Sequence, residues 1–188
     1  MFDKDNAYTK NDRWIETFTG KKFRLSKPVF DIKDIAHALS LQCRYTGHCN
    51  QFYSVAQHSI LVSELAKNRL EGLMHDAPEA YIMDMSAPVK SYFPEFKACE
   101  NYIYEHMAAE YGLPTSISED TKNADWLALF IEARVLMSSK GHGWVGEQEW
   151  GELADKYLLK NGIPGIFYWD TSFVEAQFLV HFEMLYAR

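Results

Sequence analysis

The sequence predicts an all-α fold with one small N-terminal β-hairpin, and three observations lead to this prediction. Apolar residues recur at helical spacing along most of the chain after Pro28. Serine residues followed three positions later by Gln or Glu precede two of these segments, which is the capping-box pattern of a helix start. Glycine and proline stand where helical segments end. The chain is therefore expected to form a bundle of helices.

The elements follow in chain order from these patterns. A hairpin is predicted over 14–25, where apolar residues flank a turn at Gly20. Two segments are predicted not to be helical, the loop 44–53 and the Gly-rich, mobile stretch 138–151. Segments with helical spacing are predicted as helices: 31–41, 54–65, about 70–83, 94–112, 116–137, about 149–160 and 172–186. Capping boxes begin two of them, Ser54 with Gln57 and Ser116 with Glu119.

Composition bounds the organisation and the class of function. A length of 188 residues with 47% hydrophobic content suits one domain over 1–188 with a substantial core. The net charge of −7 argues against a general nucleic-acid binder. The first ten residues lack the apolar segment of a secretory leader, and no apolar run approaches the roughly 18 residues of a membrane span. Three cysteines without a CxxC pair fit reduced thiols. We expect a cytoplasmic protein with no nucleic-acid or membrane partner.

A His-Asp pair lies inside the predicted helix 70–83. Asp76 follows Leu73 by three positions and precedes Ala80 by four. In a helix it would therefore share their apolar face, and its carboxylate would point towards the core. An ionised carboxylate that faces a core is costly unless a cation or hydrogen bonds meet it. The pair His75-Asp76 is therefore a candidate site and not an ordinary surface pair.

His58 and Asp125 occupy similar inward positions on two other predicted helices. Taken singly, a core-facing histidine is more often a hydrogen-bonded structural residue, and Asp125 could simply interact with a helix N-terminus. Together with His75 and Asp76 they form a mixed nitrogen and oxygen set from three helices. Such a set suits a divalent transition metal, Mn, Fe, Co, Ni or Zn, and leaves coordination positions for water and phosphate.

Glu79 supplies a candidate catalytic group. It follows His75 by four positions and Asp76 by three, so a helix would place it on the same face. A carboxylate there can orient or deprotonate a water molecule at a metal site. The simpler alternative is a solvated helix glutamate.

The order His58, His75-Asp76, Asp125 resembles the H…HD…D pattern of the HD superfamily of phosphohydrolases. The segments DIAHALSLQCRYTGHCNQFYSVAQHS, LMHDAPEAYIMDMSAPVK and KNADWLALFIEA are similar to small HD nucleotidases of bacteria and phages. These include 5′-deoxynucleotidases and phage dATP triphosphohydrolases. The similarity implies an HD-domain helical bundle with its metal-site core at about 31–137 and further helices over 149–187. It also implies that the four residues are metal ligands.

The resemblance assigns roles near the metal as well. Glu79 matches the catalytic glutamate of these enzymes, and Arg44 matches an arginine that contacts phosphate. Asp84 and Lys90 match a segment that borders the active site. Lys90 is either a phosphate contact or a surface lysine.

Two further residues of the loop 44–53 are candidate substrate contacts. Tyr45 stands where 5′-deoxynucleotidases of this type have a tryptophan that stacks near the sugar or helps to exclude ribose. The preference for deoxyribose is therefore open. His48 is either a phosphate contact or proton donor, or a structural histidine of the loop.

The resemblance implies a metal-dependent phosphohydrolase that acts on deoxynucleotides and assembles as a homo-oligomer. The expected activity is that of a dNTP triphosphohydrolase, with dATP as the favoured substrate, or that of a 5′-deoxynucleotidase. A triphosphate substrate could bind together with a second divalent metal. If a phage encodes the chain, its compartment is the host cytoplasm. An HD phosphodiesterase or alarmone hydrolase is the alternative, but Ala80 follows Glu79 where alarmone hydrolases usually carry another acid. A catalytically silent nucleotide sensor and a purely structural bundle are the non-enzymatic alternatives.

Overall fold

In a computed structural model of the chain, the structure describes residues 13–187. The first ten residues, for which the sequence predicts no secretory leader, lie outside the described part. The described residues form packed helices and one two-stranded antiparallel sheet, which confirms the predicted all-α class with a small hairpin. Within 13–187, no helix combines the length and apolar character that crossing a membrane requires.

The hairpin packs on the helices through its second strand. Strand β1 (Ile15–Glu16) pairs with β2 (Lys22–Phe23), and Gly20 in the connecting turn has a φ of 77°, which favours glycine. Phe23 is buried and stacks on Tyr81 with ring centroids 4.2 Å apart. The turn is fixed to the bundle because Thr19 donates hydrogen bonds from its backbone N–H and its hydroxyl to Asp34.

The helices account for most of the remaining chain. In chain order they are α1 (Ile32–Leu41), α2 (Val55–Leu65), α3 (Arg69–Met74), α4 (Glu79–Ile82), α5 (Ala87–Lys90), α6 (Pro94–Tyr111), α7 (Glu119–Leu136), α8 (Glu152–Asn161) and α9 (Thr171–Tyr186). Short 3₁₀ turns cover Arg44–Gly47 and Gly165–Tyr168, and a π-helical turn covers Glu147–Gly151. This last turn moves the start of α8 from the predicted 149 to 152, and the preceding residues of the Gly-rich stretch form consecutive turns.

Helix α2 lies at the centre of the bundle and packs against α1, α3, α7 and α9. Its first nine residues are all buried, so it has no solvent-facing side over that length. The predicted capping box begins this helix: the Ser54 backbone N–H donates to Gln57 Oε1, and the Gln57 N–H donates to Ser54 Oγ. A polar side chain on α2, such as that of His58, is therefore placed in the core.

The predicted continuous helix over 70–83 is wrong. It breaks into α3 and α4 because Pro78 has no backbone N–H to donate to the carbonyl of Met74. Tighter bonds replace the helical ladder, from the Ala77 N–H to Met74 O and from the Glu79 N–H to Asp76 O. His75 and Asp76 consequently lie in a tight turn that follows α3.

The predicted capping box of Ser116 with Glu119 is also wrong. Helix α7 begins at Glu119 with Ser118 as its N-cap, and Ser118 Oγ accepts from the Thr121 N–H. A tertiary contact selects Ser118: the buried Glu71 carboxylate of α3 accepts from the backbone N–H and the hydroxyl of Ser118, at 2.6 and 2.7 Å. Glu71 thereby fixes the start of the helix that carries Asp125.

Candidate metal centre

The four predicted metal ligands lie together in the core. His58 comes from α2, His75 and Asp76 from the turn after α3, and Asp125 from the second turn of α7. His58, His75 and Asp125 each offer a ligand atom, and these atoms lie within 4.8 Å of one another. Asp76 Oδ2 is 3.5 Å from His58 Nε2 and 3.2 Å from His75 Nε2. The structure therefore gathers two imidazoles and two carboxylates from three separate segments.

The Nδ1 atom of each imidazole has a hydrogen-bond partner within the protein. His75 Nδ1 lies 2.8 Å from the carbonyl oxygen of Gly72, which can only accept, so Nδ1 carries the proton. His58 Nδ1 lies 2.6 Å from Glu132 Oε1. The two Nε2 atoms are buried and have no well-formed hydrogen bond. Both Nε2 atoms therefore face two carboxylates, and deprotonated Nε2 atoms together with these carboxylates form the donor set that a divalent transition metal requires.

The charges of this cluster favour a cation at its centre. Burial and the nearby Arg44 lower the pKa of His58, but Glu132 and Asp125 outweigh them and raise it to about 9. Burial alone would raise the pKa of Asp76, yet His75 and His58 hold it below its usual value. In the metal-free protein a proton on imidazole meets this demand for positive charge, and a divalent ion is a stronger way to meet it.

Glu132 is the main functional residue that the sequence analysis missed. It is fully buried on α7, two helical turns after Asp125. Besides binding His58, it accepts hydrogen bonds through Oε2 from Arg44 Nε (3.1 Å) and the Tyr45 hydroxyl (2.7 Å). Burial opposes ionisation, but Arg44 and His58 lower the pKa of Glu132 to about 2. Glu132 follows Asp125 by seven residues, so a helix places both on the same face, and this spacing was the signal that could have revealed Glu132.

Arg44 reaches the cluster from a strained turn. Its Nη1 atom is 3.8 Å from Asp76 Oδ2, and its side chain is largely buried. Tyr45 and Thr46 have φ values of 57° and 53°, which cost free energy in residues with a Cβ. The hydrogen bond of the Tyr45 hydroxyl to Glu132 holds this turn. That bond directs the hydroxyl of Tyr45 to Glu132, and the expected contact of Tyr45 with a substrate stays a prediction.

Glu79 is buried on α4, and its carboxylate meets Lys90. Lys90 Nζ lies 3.4 Å from Glu79 Oε1 and 2.6 Å from Glu100 Oε1. Glu79 Oε2 is buried without a hydrogen-bond partner. Burial, with the charges of Asp76 and Asp84, raises the pKa of Glu79 well above its usual value, and Lys90 opposes this rise. A carboxylate with a raised pKa close to the predicted metal ligands is suited to take up a proton.

The two remaining predicted substrate contacts, Asp84 and His48, lie in different surroundings. Asp84 is half-buried after α4, where burial and Asp76 raise its pKa and Arg44 opposes the shift. It therefore belongs to the electrostatic surroundings of the cluster. His48 is exposed and is not one of the described residues that line the cavity beside the predicted metal ligands. Near it, Cys43 and Cys49 are free thiols with sulfur atoms 3.7 Å apart.

A cavity of about 880 Å³ opens beside the cluster. His75, Asp76 and Asp125 form part of its wall, and Lys90 lies on it as well. The rest of the wall comes mainly from α5, one face of α6 and residues 115–117 before α7. A volume of this size suits a small-molecule ligand of nucleotide dimensions.

Two curated proteins are similar to the chain. The uncharacterized protein YfdR of Escherichia coli K12 is 43% identical over 136 residues, which cover 70% of this chain and 76% of YfdR. The uncharacterized protein RCAP_rcc00048 of Rhodobacter capsulatus is 31% identical over 137 residues, which cover 65% of this chain and 70% of that protein. No family model matches the chain.

Proposed function

The chain belongs to the protein family of Escherichia coli YfdR, and we propose that it is a metal-dependent phosphohydrolase of the HD type that acts on nucleotides. One observation carries the proposal. The buried Nε2 atoms of His58 and His75 lack hydrogen-bond partners and converge on the carboxylates of Asp76 and Asp125. A buried arrangement of this kind is costly unless a cation completes it.

These four residues would hold a divalent transition metal such as Mn, Fe, Co, Ni or Zn. When bound, such an ion polarises a phosphate oxygen and makes water in the site more acidic. Glu132 keeps His58 in the tautomer that leaves Nε2 free, and the Gly72 carbonyl does the same for His75. The protein thus fixes the orientation of both imidazoles before any metal arrives.

The groups around the cluster match the needs of phosphoryl transfer. Glu79 accepts a proton from the attacking water, whose oxygen bonds to phosphorus as the bond from phosphorus to the nucleoside 5′ oxygen breaks in line; the departing oxygen takes a proton from solvent. Arg44, which lies beside Asp76, stabilises the charge on the non-bridging phosphate oxygens, while Lys90 on the cavity wall pairs with Glu79 and Glu100. Because Glu132 binds both His58 and Arg44, it couples the position of a metal ligand to that of a phosphate contact.

The nucleotide class comes from the resemblance to small HD nucleotidases, and the cavity beside the ligands gives such a substrate room. Two products separate the favoured activities. Attack on a monophosphate releases a nucleoside and orthophosphate. Attack at the α-phosphorus of a dNTP releases a nucleoside and triphosphate.

Product analysis by chromatography tests the proposal. Protein loaded with Mn, Co or Zn is incubated with parallel panels of dNMPs, dNTPs and ribonucleotides, and Asp76→Asn protein serves as the control. We expect nucleoside release by the wild type, above all from dATP or a dNMP, and none by the variant. Absence of turnover with every substrate and every metal would contradict the proposal.

A further inference from the structure

We propose that the face of α6 on the cavity recognises the nucleoside portion of the substrate, with the Tyr104 hydroxyl as a specificity-determining hydrogen-bonding group. This inference rests on the proposed function. A phosphate held at the metal cluster leaves the rest of the nucleotide in the adjoining cavity, whose wall includes both the metal ligands and this helix face.

One face of α6 contributes a continuous part of the wall. Its cavity-lining residues recur at helical spacing: Lys97, Glu100, Asn101, Tyr104 and Glu105. Tyr104 is the only Phe, Tyr or Trp among the described residues that line the cavity. Its ring is part of the wall, although most of the side chain is buried.

The Tyr104 hydroxyl lacks a partner inside the protein. The residue is 6% exposed, and its hydroxyl oxygen is buried without a hydrogen bond. Buried polar groups in native proteins are nearly always satisfied, so an unsatisfied hydroxyl of a wall residue is a position where a ligand can supply the missing partner. Burial, assisted by the charge of Glu71, raises the pKa of Tyr104, so the phenol stays neutral and can donate at physiological pH.

The charges on this helix face favour a neutral polar group over another phosphate. Glu100 accepts hydrogen bonds at 2.6 Å from both Lys90 and Lys97, so these charges are already paired. Asn101, one turn before Tyr104, adds an uncharged amide to the same wall. A phenol and an amide together suit a sugar hydroxyl or the polar edge of a base.

Tyr104→Phe tests the inference because it removes the hydroxyl and keeps the ring. We expect the KM for the preferred nucleotide to rise about tenfold, the effect of losing one hydrogen bond. The kcat/KM for p-nitrophenyl phosphate, which has no nucleoside, should change less than about twofold. The thermal midpoint should not fall, since the hydroxyl has no partner in the free protein. Tyr102→Phe is the matched control, because the Tyr102 ring packs at a tilt against His106 and is not part of the cavity wall.

The outcomes separate this inference from the function on which it rests. If the wild type hydrolyses neither substrate, the proposed function fails and the inference falls with it. If the wild type is active but Tyr104→Phe leaves the nucleotide KM unchanged, or weakens both substrates equally, the inference alone is overturned. A penalty that disappears with a 2′,3′-dideoxynucleotide supports contact with the sugar. A penalty that persists there but varies with the base supports contact with the base.

Discussion

The Nδ1 atom of His58 lies 2.6 Å from Glu132 Oε1, and both side chains are fully buried. The same carboxylate binds Arg44 and Tyr45, so one group orients a proposed metal ligand and a proposed phosphate contact. Outer carboxylates of this kind usually fix the ring orientation of a ligand histidine and increase its basicity. Glu132 is therefore central to the site although it would touch neither metal nor substrate.

Glu132→Gln should weaken divalent metal binding by about 10- to 100-fold, because the amide cannot carry the charge that His58 and Arg44 require. Isothermal titration with Mn²⁺ or Zn²⁺ measures this effect. Glu183→Gln, an exposed position on α9, is the control and should leave affinity unchanged. An affinity of Glu132→Gln within about twofold of the wild type would show that the contact does not position the ligand.

Substitutions at Glu79 and at the ligands should separate chemistry from metal binding. Glu79→Gln should lower kcat by about 10²- to 10⁴-fold while the protein keeps its metal, because it removes a proton acceptor and no ligand. His75→Ala and Asp125→Ala should lose metal and turnover together. Metal content by elemental analysis, measured beside activity, checks both expectations. Full metal content and rate in Asp125→Ala would remove Asp125 from the ligand set.

Lys90→Met should shift the acidic limb of the pH–rate profile to higher pH. Lys90 lowers the pKa of Glu79 against burial and the charge of Asp76, so removal of the lysine raises that pKa further. Glu79 must be a carboxylate to accept a proton, and activity then requires a higher pH. The measurement is kcat/KM across pH 5–9, a window of about four units around neutrality. An unshifted limb would mean that Glu79 is not the base.

Gly72→Ala should both destabilise the fold and weaken metal binding. A Cβ at Gly72 would lie 3.0 Å from Ser63 Cα and 3.1 Å from Ala66 Cβ, so α3 must move away from α2. The Gly72 carbonyl, which orients His75, moves with it. We expect a loss of about 1–3 kcal/mol in the free energy of unfolding.

Urea denaturation and metal titration measure the two effects of Gly72→Ala. Gly165→Ala is the matched control, because no atom lies within 4 Å of its added Cβ. Equal stability of the two variants would mean that the helices accommodate the methyl group without moving.

Sequence patterns predicted most helices because apolar spacing and local caps act within a few residues. These patterns failed where a helix boundary depends on a contact with a distant residue or on a missing backbone N–H donor. Apolar spacing continues across Pro78, so the break of the predicted helix 70–83 was not visible in it. The local pattern favours Ser116, which has Glu119 three positions later, but the bonds of Glu71 to Ser118 hold Ser118 as the cap.

The inward positions of the proposed ligand residues could be predicted from the sequence, since charged groups at apolar positions conflict with the pattern around them. The contact of His58 with Glu132 could not be predicted in this way. Glu132 lies 74 residues further along the chain, and spacing on one helix does not reveal which side chain of another helix it meets. The same limit applies to Arg44 and Tyr45, whose bonds to Glu132 depend on a left-handed turn.

We propose that His58, His75, Asp76 and Asp125 bind one divalent metal on which nucleotide hydrolysis depends. The most direct measurement is turnover of the preferred nucleotide by metal-stripped protein during stepwise addition of Mn²⁺. We expect activity to be absent at first, to rise linearly and to saturate near one equivalent, with no activity at any ratio in Asp76→Asn. Full activity of the stripped wild type, or equal activation of the variant, would contradict the account.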